Sequence, residues 1–348
     1  MNEARLNAFL GKAINDLGAA VSAVLVSLGD ALGYYRALAA ARLTPAELAA
    51  KTGTHERYAR EWLGNQAAGG YVEYDRETGR YFLNEEQRAC LADPSGPVDL
   101  AGAYEIVRDL FHIRDKALEN FRSGAGMEWG EHHTCLFHGT ERFFRAGYNM
   151  NLLSSWLPAL DGLIGKLQRG IRVADVGCGH GASTILMAKS FPKSDFVGID
   201  YHPASIDTAR LRARAADVDN IRFEVGDATS YSGRDYDFIA FFDCLHDMAD
   251  PVNAARHARE ALRRDGHCMV VEPLAGDSVD QNLNPIGRVY YGASSLICVP
   301  VSLARRGPAL GAQAGEGRLR KVLVDGGGFT RFRRAAETPF NIVLEARP

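Results

Sequence analysis

Three things are missing from this sequence of 348 residues. It has no surplus of charge of either sign: the formal net charge of -3 gives no basis for a surface that binds nucleic acid or membrane. Its six cysteines, at 90, 135, 178, 244, 268 and 298, include no C-x-x-C pair. That spacing argues against a zinc ribbon or a disulfide frame and suits free thiols in a reducing compartment. Finally, no early apolar run approaches the roughly 20 residues of a membrane span. The most apolar, Ala19 to Leu28, is bracketed by Asp16 and Asp30, and the opening MNEARLNAFLGKAINDLG carries acids where a signal peptide would be basic. A cytoplasmic protein with neither membrane nor nucleic acid as partner is expected.

What is present reads as ordinary globular protein, with 46% hydrophobic and 24% charged residues. The length points to two units. The first part is rich in alanine and leucine at helical spacing. Thr44, Pro45 and Glu47 form a helix start, Gly53 a turn, and a second helix of about 55–67 ends at Gly69-Gly70. A small hairpin, Tyr71–Tyr74 with Arg80–Leu83, follows around Glu77-Thr78-Gly79. This is the cadence of a winged helix-turn-helix. Residues 93–170 read as mainly helical, interrupted by GMEWGEHHTCLFHGTERFFRAGYNMNL. From Arg172 onward, apolar runs at 172–176, 195–199, 221–225, 237–242 and 267–271 alternate with helical stretches, which calls for a parallel sheet with crossover helices. Asp250-Pro251 starts one such helix and Asp265-Gly266 is expected to end it. The last two strands, TRFRRAAE and NIVLEAR, are joined too tightly to be anything but antiparallel. Residues 303–317 read as a loop and a candidate lid.

The centre of the chain carries VADVGCGHG, Val173 to Gly181. Gly177-x-Gly179-x-x-Ala182 satisfies the dinucleotide fingerprint, with Asp200 about 20 residues on. Asp175, two residues before the first glycine, argues otherwise: a carboxylate there repels pyrophosphate and welcomes a cation. Two more strand ends carry polar groups to the carboxyl edge of the sheet, where ligands of open α/β sheets bind: Gly226-Asp227-Ala228 and FFDCLHDM, which contains Phe242, Asp243, His246 and Asp247.

DVGCGHG at 175–181, GID at 198–200, GDA at 226–228 and FDCLHD at 242–247 together resemble the ordered motifs of class I S-adenosylmethionine-dependent methyltransferases. The resemblance covers about 166–348. It implies a Rossmann-like α/β sheet of seven strands with an antiparallel final hairpin. It further implies S-adenosylmethionine as methyl donor, with S-adenosylhomocysteine as product. Asp200 would hold the ribose hydroxyls with Tyr201 beside it, and Asp227 the adenine. The turn with Gly177, Cys178, Gly179 and Gly181 would face the methionine part, and Tyr148 would join Phe242 and Asp243 on the cofactor side.

The front half is similar to small-molecule O-methyltransferases whose winged-helix region dimerises and covers the acceptor. The expected organisation is therefore 1–95 winged-helix dimerisation unit, 96–165 helical cover and 166–348 catalytic domain, in a homodimer acting on a small molecule. His246 with Asp247 is similar to the histidine-aspartate pair in which the histidine is the general base, a task suited to a group titrating near neutrality. Trp129, His132, His133, Phe144, Tyr290 and Tyr291 are candidate acceptor walls, since aromatic faces suit both a flat acceptor and a sulfonium methyl. Two rival readings stand beside this one. His246 could be a metal ligand in C-methylation of an α-keto acid, although NPIGRVYYGASSLICVPVSL lacks the second histidine of that group. The winged helix could be a DNA-binding regulator that senses S-adenosylmethionine, although residues 43–93 hold nine acids against six bases.

Overall fold

The computed structural model describes residues 1–348, which form two compact units. One comprises residues 1–112 and 133–147; the other comprises 113–132 and 148–348.

The first unit is helical. Its opening helix, Glu3–Ala31, is capped by Asn2, whose side chain accepts from Arg5 N. The apolar run seen at 19–28 is thus only part of a 29-residue helix. By length and composition this helix, and a second at Pro285–Ala304, could cross a membrane; much of the second is buried in the protein. Helix Pro45–Thr52 starts on the expected capping box of Thr44 and Glu47 and stops at Gly53 in the left-handed conformation. Helix Glu56–Ala68 follows, and strands β1 (Glu73–Asp75) and β2 (Arg80–Phe82) pair antiparallel to form the wing. Trp62 organises this core. Tyr34 and Tyr35 pack edge-on against it, its indole N–H donates to Leu25 O at 2.7 Å, and a Cβ at Gly29 would stand 2.3 Å from its ring.

The second unit is built on seven strands: β3 (Arg172–Val176), β4 (Asp195–Asp200), β5 (Ile221–Val225), β6 (Tyr236–Phe242), β7 (Leu262–Pro273), β8 (Arg331–Glu337) and β9 (Asn341–Arg347). Their order is β5-β4-β3-β6-β7-β9-β8; β3 to β7 run parallel, and β9 lies antiparallel between β7 and β8. Every residue of β6 is buried, as an apolar strand covered on both faces must be. The order reverses between β3 and β6, so their carboxyl ends open the crevice where open α/β sheets take ligands.

Two expectations fail locally. Asp265-Gly266 does not end a helix: helix Pro251–Ala261 passes straight into β7 at Leu262. Leu262 pairs with Tyr236 and His267 with Phe238, so residues 263–266 bulge out of the ladder and carry the turn-forming pair with them. The aromatic interruption is also shorter than its composition suggests. Only Trp129–Glu131 forms a tight 3₁₀ turn, and Thr134–Asn151 is one helix.

Candidate functional site

The glycine turn after β3 is left-handed at Gly177, Gly179 and Gly181, with φ of 77°, 52° and 77°. Two of the three are also crowded. A Cβ at Gly177 would lie 2.6 Å from Cys244 Sγ, and one at Gly181 would lie 2.5 Å from the Phe223 ring, whereas nothing stands within 4 Å at Gly179. The turn therefore packs tightly at its ends and leaves open space at its crest.

Asp175 lies behind that turn, fully buried. Its Oδ2 accepts from the Ser183 and Thr184 hydroxyls, each at 2.7 Å, while its Oδ1 has no partner. Burial pushes its carboxyl up to about 6 against the pull of the two hydroxyls, and nearby Asp200 adds to the rise. A buried carboxylate with an unused oxygen suits a cationic ligand. Asp200, at the end of β4, is fixed by two backbone donors, Gly179 N on Oδ2 and His202 N on Oδ1, both at 2.9 Å. Burial raises its pKa as well.

At the end of β5, Gly226 N donates to Asp200 O, which joins the two strand ends. Asp227 Oδ1 accepts from Thr229 N and its hydroxyl at 2.9 and 2.7 Å, and Oδ2 pairs with Arg305. Ala228 packs against the main core and Cys178 against Ile206 and Phe223, while Tyr201 is exposed beside Asp200. After β6, Phe242 meets Tyr148 edge-on at 5.3 Å. Asp243 has a left-handed backbone (φ 52°) and accepts from Asn341 Nδ2 at 2.7 Å and from the Tyr148 hydroxyl at 3.5 Å. Burial, reinforced by Glu272, lifts its carboxyl well above the usual range.

The next turn carries His246, which is 4% exposed. Its Nδ1 pairs with Glu272 Oε2, and Leu245 N donates to Glu272 Oε1 at 2.9 Å. Its Nε2 lies 3.3 Å from Cys298 Sγ. Burial alone would depress the imidazole pKa, but the Glu272 carboxylate, together with Cys298, outweighs it and holds it well above the ordinary value. The carboxylate on the ring is thus Glu272, at the end of β7, and not Asp247. Asp247 is half-buried on the same turn, its carboxyl pushed up to about 7 by desolvation against the pull of His246.

The aromatic candidates divide between the two units. Trp129, His132, Tyr290 and Tyr291 belong to the unit with the sheet, and His133 and Phe144 to the other. Tyr290 is buried and its hydroxyl donates to Phe340 O at 2.7 Å, while Tyr291 is half-buried. Trp129 and His132 flank a turn whose Gly130 would bring a Cβ within 3.4 Å of His202 Nε2, so this turn lies near Asp200. His133 stacks on His112 and Phe144 meets Phe143 edge-on within their own unit. No group of three His, Cys, Asp or Glu side chains is arranged to hold a metal ion.

Sequence reasoning missed Glu272, Cys298, Ser183, Thr184 and Arg305. For Glu272 a signal existed: an acid closing the apolar run Cys268–Val271, in a strand expected beside β6, needs a buried partner.

Fold and site together define a methyl-transfer domain of the Rossmann-like kind: an acid-lined glycine turn, acids closing the next two strands, and a histidine past the fourth. Residues 167–295 match the methyltransferase-domain family, and residues 20–93 match the Rv2258c-like winged helix-turn-helix domain. The chain is 32% identical over 194 residues to the 27-O-demethylrifamycin SV methyltransferase of Amycolatopsis mediterranei, spanning 52% of this chain and 68% of that one. It is 26% identical to the ubiquinone biosynthesis O-methyltransferase of Acinetobacter baylyi, of whose length the match spans 61%. In fold it is similar to human N-acetylserotonin methyltransferase in complex with S-adenosylmethionine, at TM-score 0.72 and 17% identity, covering 100% of this chain and 98% of that one. The chain belongs to the S-adenosylmethionine-dependent methyltransferases, in the form that carries an N-terminal winged helix-turn-helix domain. Its cofactor is S-adenosylmethionine, and the unpaired Asp175 oxygen and the open crest at Gly179 fit that cation.

Proposed function

We propose that this enzyme methylates a hydroxyl of a small, largely aromatic or apolar molecule, with His246 as general base. The observation that carries the reading is the buried His246–Glu272 pair at the carboxyl edge of the sheet. Bound S-adenosylmethionine supplies an electrophilic methyl on a sulfonium. Asp175 and the glycine turn hold its methionine part, Asp200 its ribose and Asp227 its adenine, with Tyr148, Phe242 and Asp243 on the same side. His246 Nε2 would take the proton of the acceptor hydroxyl, and Glu272 would keep the ring oriented and stabilise the imidazolium. Trp129, His132, Tyr290 and Tyr291 supply apolar faces for the acceptor. The Amycolatopsis relative and a structurally similar mitomycin 7-O-methyltransferase carry names that place the methyl on oxygen, which supports the acceptor atom.

The test is transfer of labelled methyl from S-adenosylmethionine to pooled phenols, keto acids and heteroaromatic amines, read beside S-adenosylhomocysteine affinity. Label is expected in phenols, and Asp200→Ala should weaken S-adenosylhomocysteine at least about tenfold. Label confined to keto acids or amines would overturn the hydroxyl reading; unchanged affinity in the Asp200 variant would overturn the cofactor assignment.

The winged unit is read as a dimerisation element without nucleic acid. Leu10, Ile14, Leu17, Val21, Val24 and Leu28 of the first helix are 46–69% exposed and alternate at spacings of four and three, the seam of a two-helix coil. Meanwhile Arg57 and Arg60 of helix Glu56–Ala68 pair with Glu61 and Glu56 on the same helix, which leaves them poorly placed for phosphates. Sedimentation should give twice the chain mass of 37.9 kDa, and Leu17→Glu with Val24→Glu should halve it. A wild-type mass of one chain would end the dimer reading. Six free cysteines fit a cytoplasmic location.

A further inference from the structure

One side chain from late in the sequence spans the ends of β4 and β5. Arg305 follows the helix Val299–Ala304 and lies in the stretch that reads as a loop. Its Nη2 is 3.1 Å from Asp227 Oδ2, and its guanidinium carbon stands 4.7 Å from the centre of the Tyr201 ring. Thr229 already occupies Asp227 Oδ1 with two donors, so Arg305 holds the oxygen that Thr229 leaves. Burial raises the Asp227 carboxyl, but Thr229 and Arg305 outweigh it and keep the group below the usual carboxylate range.

A second segment reaches the same place. Met127 N donates to Pro300 O at 3.0 Å, and Gly126 sits so close that a Cβ would lie 2.0 Å from Ala304 N. Four residues on, Gly130 approaches His202, the neighbour of Tyr201. Residues 126–130 therefore run from the helix that carries Arg305 to the strand end that carries Tyr201.

We propose that Arg305 is a cofactor-binding residue whose guanidinium lies over the adenosine of S-adenosylmethionine; this rests on the assignment of Asp200 and Asp227 above. An adenosine held by Asp200 at its ribose and Asp227 at its base lies between the ends of β4 and β5, the gap that the guanidinium bridges. Its planar, weakly hydrated cation stacks on aromatic faces while hydrogen-bonding a carboxylate in its own plane, which an ammonium cannot do. The helix before it continues from the turn Ser294–Cys298, whose Cys298 touches His246.

Calorimetric titration of the full chain with S-adenosylhomocysteine, and separately with adenosine, tests this without any acceptor. Arg305→Ala should weaken both ligands about tenfold. Arg305→Lys should recover only part of the loss, and Arg306→Gln should stay within about twofold of wild type. An unfolding temperature for each variant separates lost binding from lost fold. Wild-type affinity in Arg305→Ala overturns the proposal, and tighter binding does too, because the guanidinium would then be a plug. Full affinity in Arg305→Lys overturns the stacking. If Asp200→Ala weakens binding while Arg305→Ala does not, only the arginine assignment falls; if neither does, the cofactor assignment falls with it.

Discussion

His246 and His267 lie towards opposite ends of the β6–β7 pair, one on the turn after β6 and the other within β7, and each sets its Nδ1 against a buried carboxylate. Their partners differ in what else they hold. Glu345, 2.7 Å from His267, also pairs with Arg333 at 2.6 Å. Burial raises its carboxyl, but the two donors outweigh burial and lower it. Glu272 has no cation beyond the imidazole, and its other oxygen takes a single backbone N–H. The arginine closes the charge account of the first pair and makes it structural. Without one, the second pair draws a proton onto His246, and only the Cys298 thiol stands at its other nitrogen. Two similar histidine-carboxylate pairs thus differ in their charge partners, one with a guanidinium and one without.

The largest effect expected from breaking this contrast is on turnover. His246→Ala should lose about 10²–10⁴ in methyl transfer to pooled phenols while S-adenosylhomocysteine binds as before. Retained turnover would remove His246 from the chemistry.

Glu272→Gln should act through the ring it holds. Because Glu272 holds the imidazole pKa above its ordinary value, the wild-type rate should climb with pH through a value above about 6.5. The variant should be about 10² slower, with that climb displaced to lower pH. A slower enzyme with an unmoved limb would mean that Glu272 does not set the proton affinity of the base. The same shift has a stability consequence. A raised imidazole stabilises the fold fully below about pH 6.5 and ceases to as pH rises through the folded-state value.

The smallest effect on chemistry belongs to the other pair. Glu345→Gln should cost about 3 kcal/mol of stability at neutral pH, read by denaturant unfolding, with cofactor affinity intact. Because the Glu345 carboxyl is depressed, its contribution exists above about pH 4.3 and is lost as pH falls through the folded-state value, so wild type and variant should converge in acid. A variant that lost cofactor binding at full stability would erase the distinction.

What could be read in the sequence follows from the range of the interactions. The glycine turn, Asp175 and the strand ends at Asp200 and Asp227 are local patterns in which the residue and its structural reason lie within a few positions. Glu272, Cys298 and Arg305 reach their partners across 26, 52 and 78 residues and belong to no motif. Cys298 was hidden further because its helix passes through a π-turn at Ser294–Cys298, which breaks the 3.6-residue periodicity that assigns faces. Asp265-Gly266 misled for the opposite reason, because a turn signal can equally mark a bulge inside a ladder. The exposed apolar residues of the first helix recur at Leu10, Ile14, Leu17, Val21, Val24 and Leu28, but Asp16 and Asp30 drew attention to the most apolar stretch between them, Ala19 to Leu28.

The place of β9 in the sheet also bears on how the enzyme is made. This strand is last of the nine in sequence yet sits between β7 and β8, and its first residue, Asn341, holds Asp243 on the turn after β6. A chain emerging from the ribosome can lay down β3 to β7 as they appear, but one edge of β7 stays unpaired until β9 arrives. Through that interval the nascent protein offers a bare strand edge to any passing β-segment, a period in which chaperone supply would govern yield. Asn341 thus makes the anchoring of the turn after β6 wait for β9.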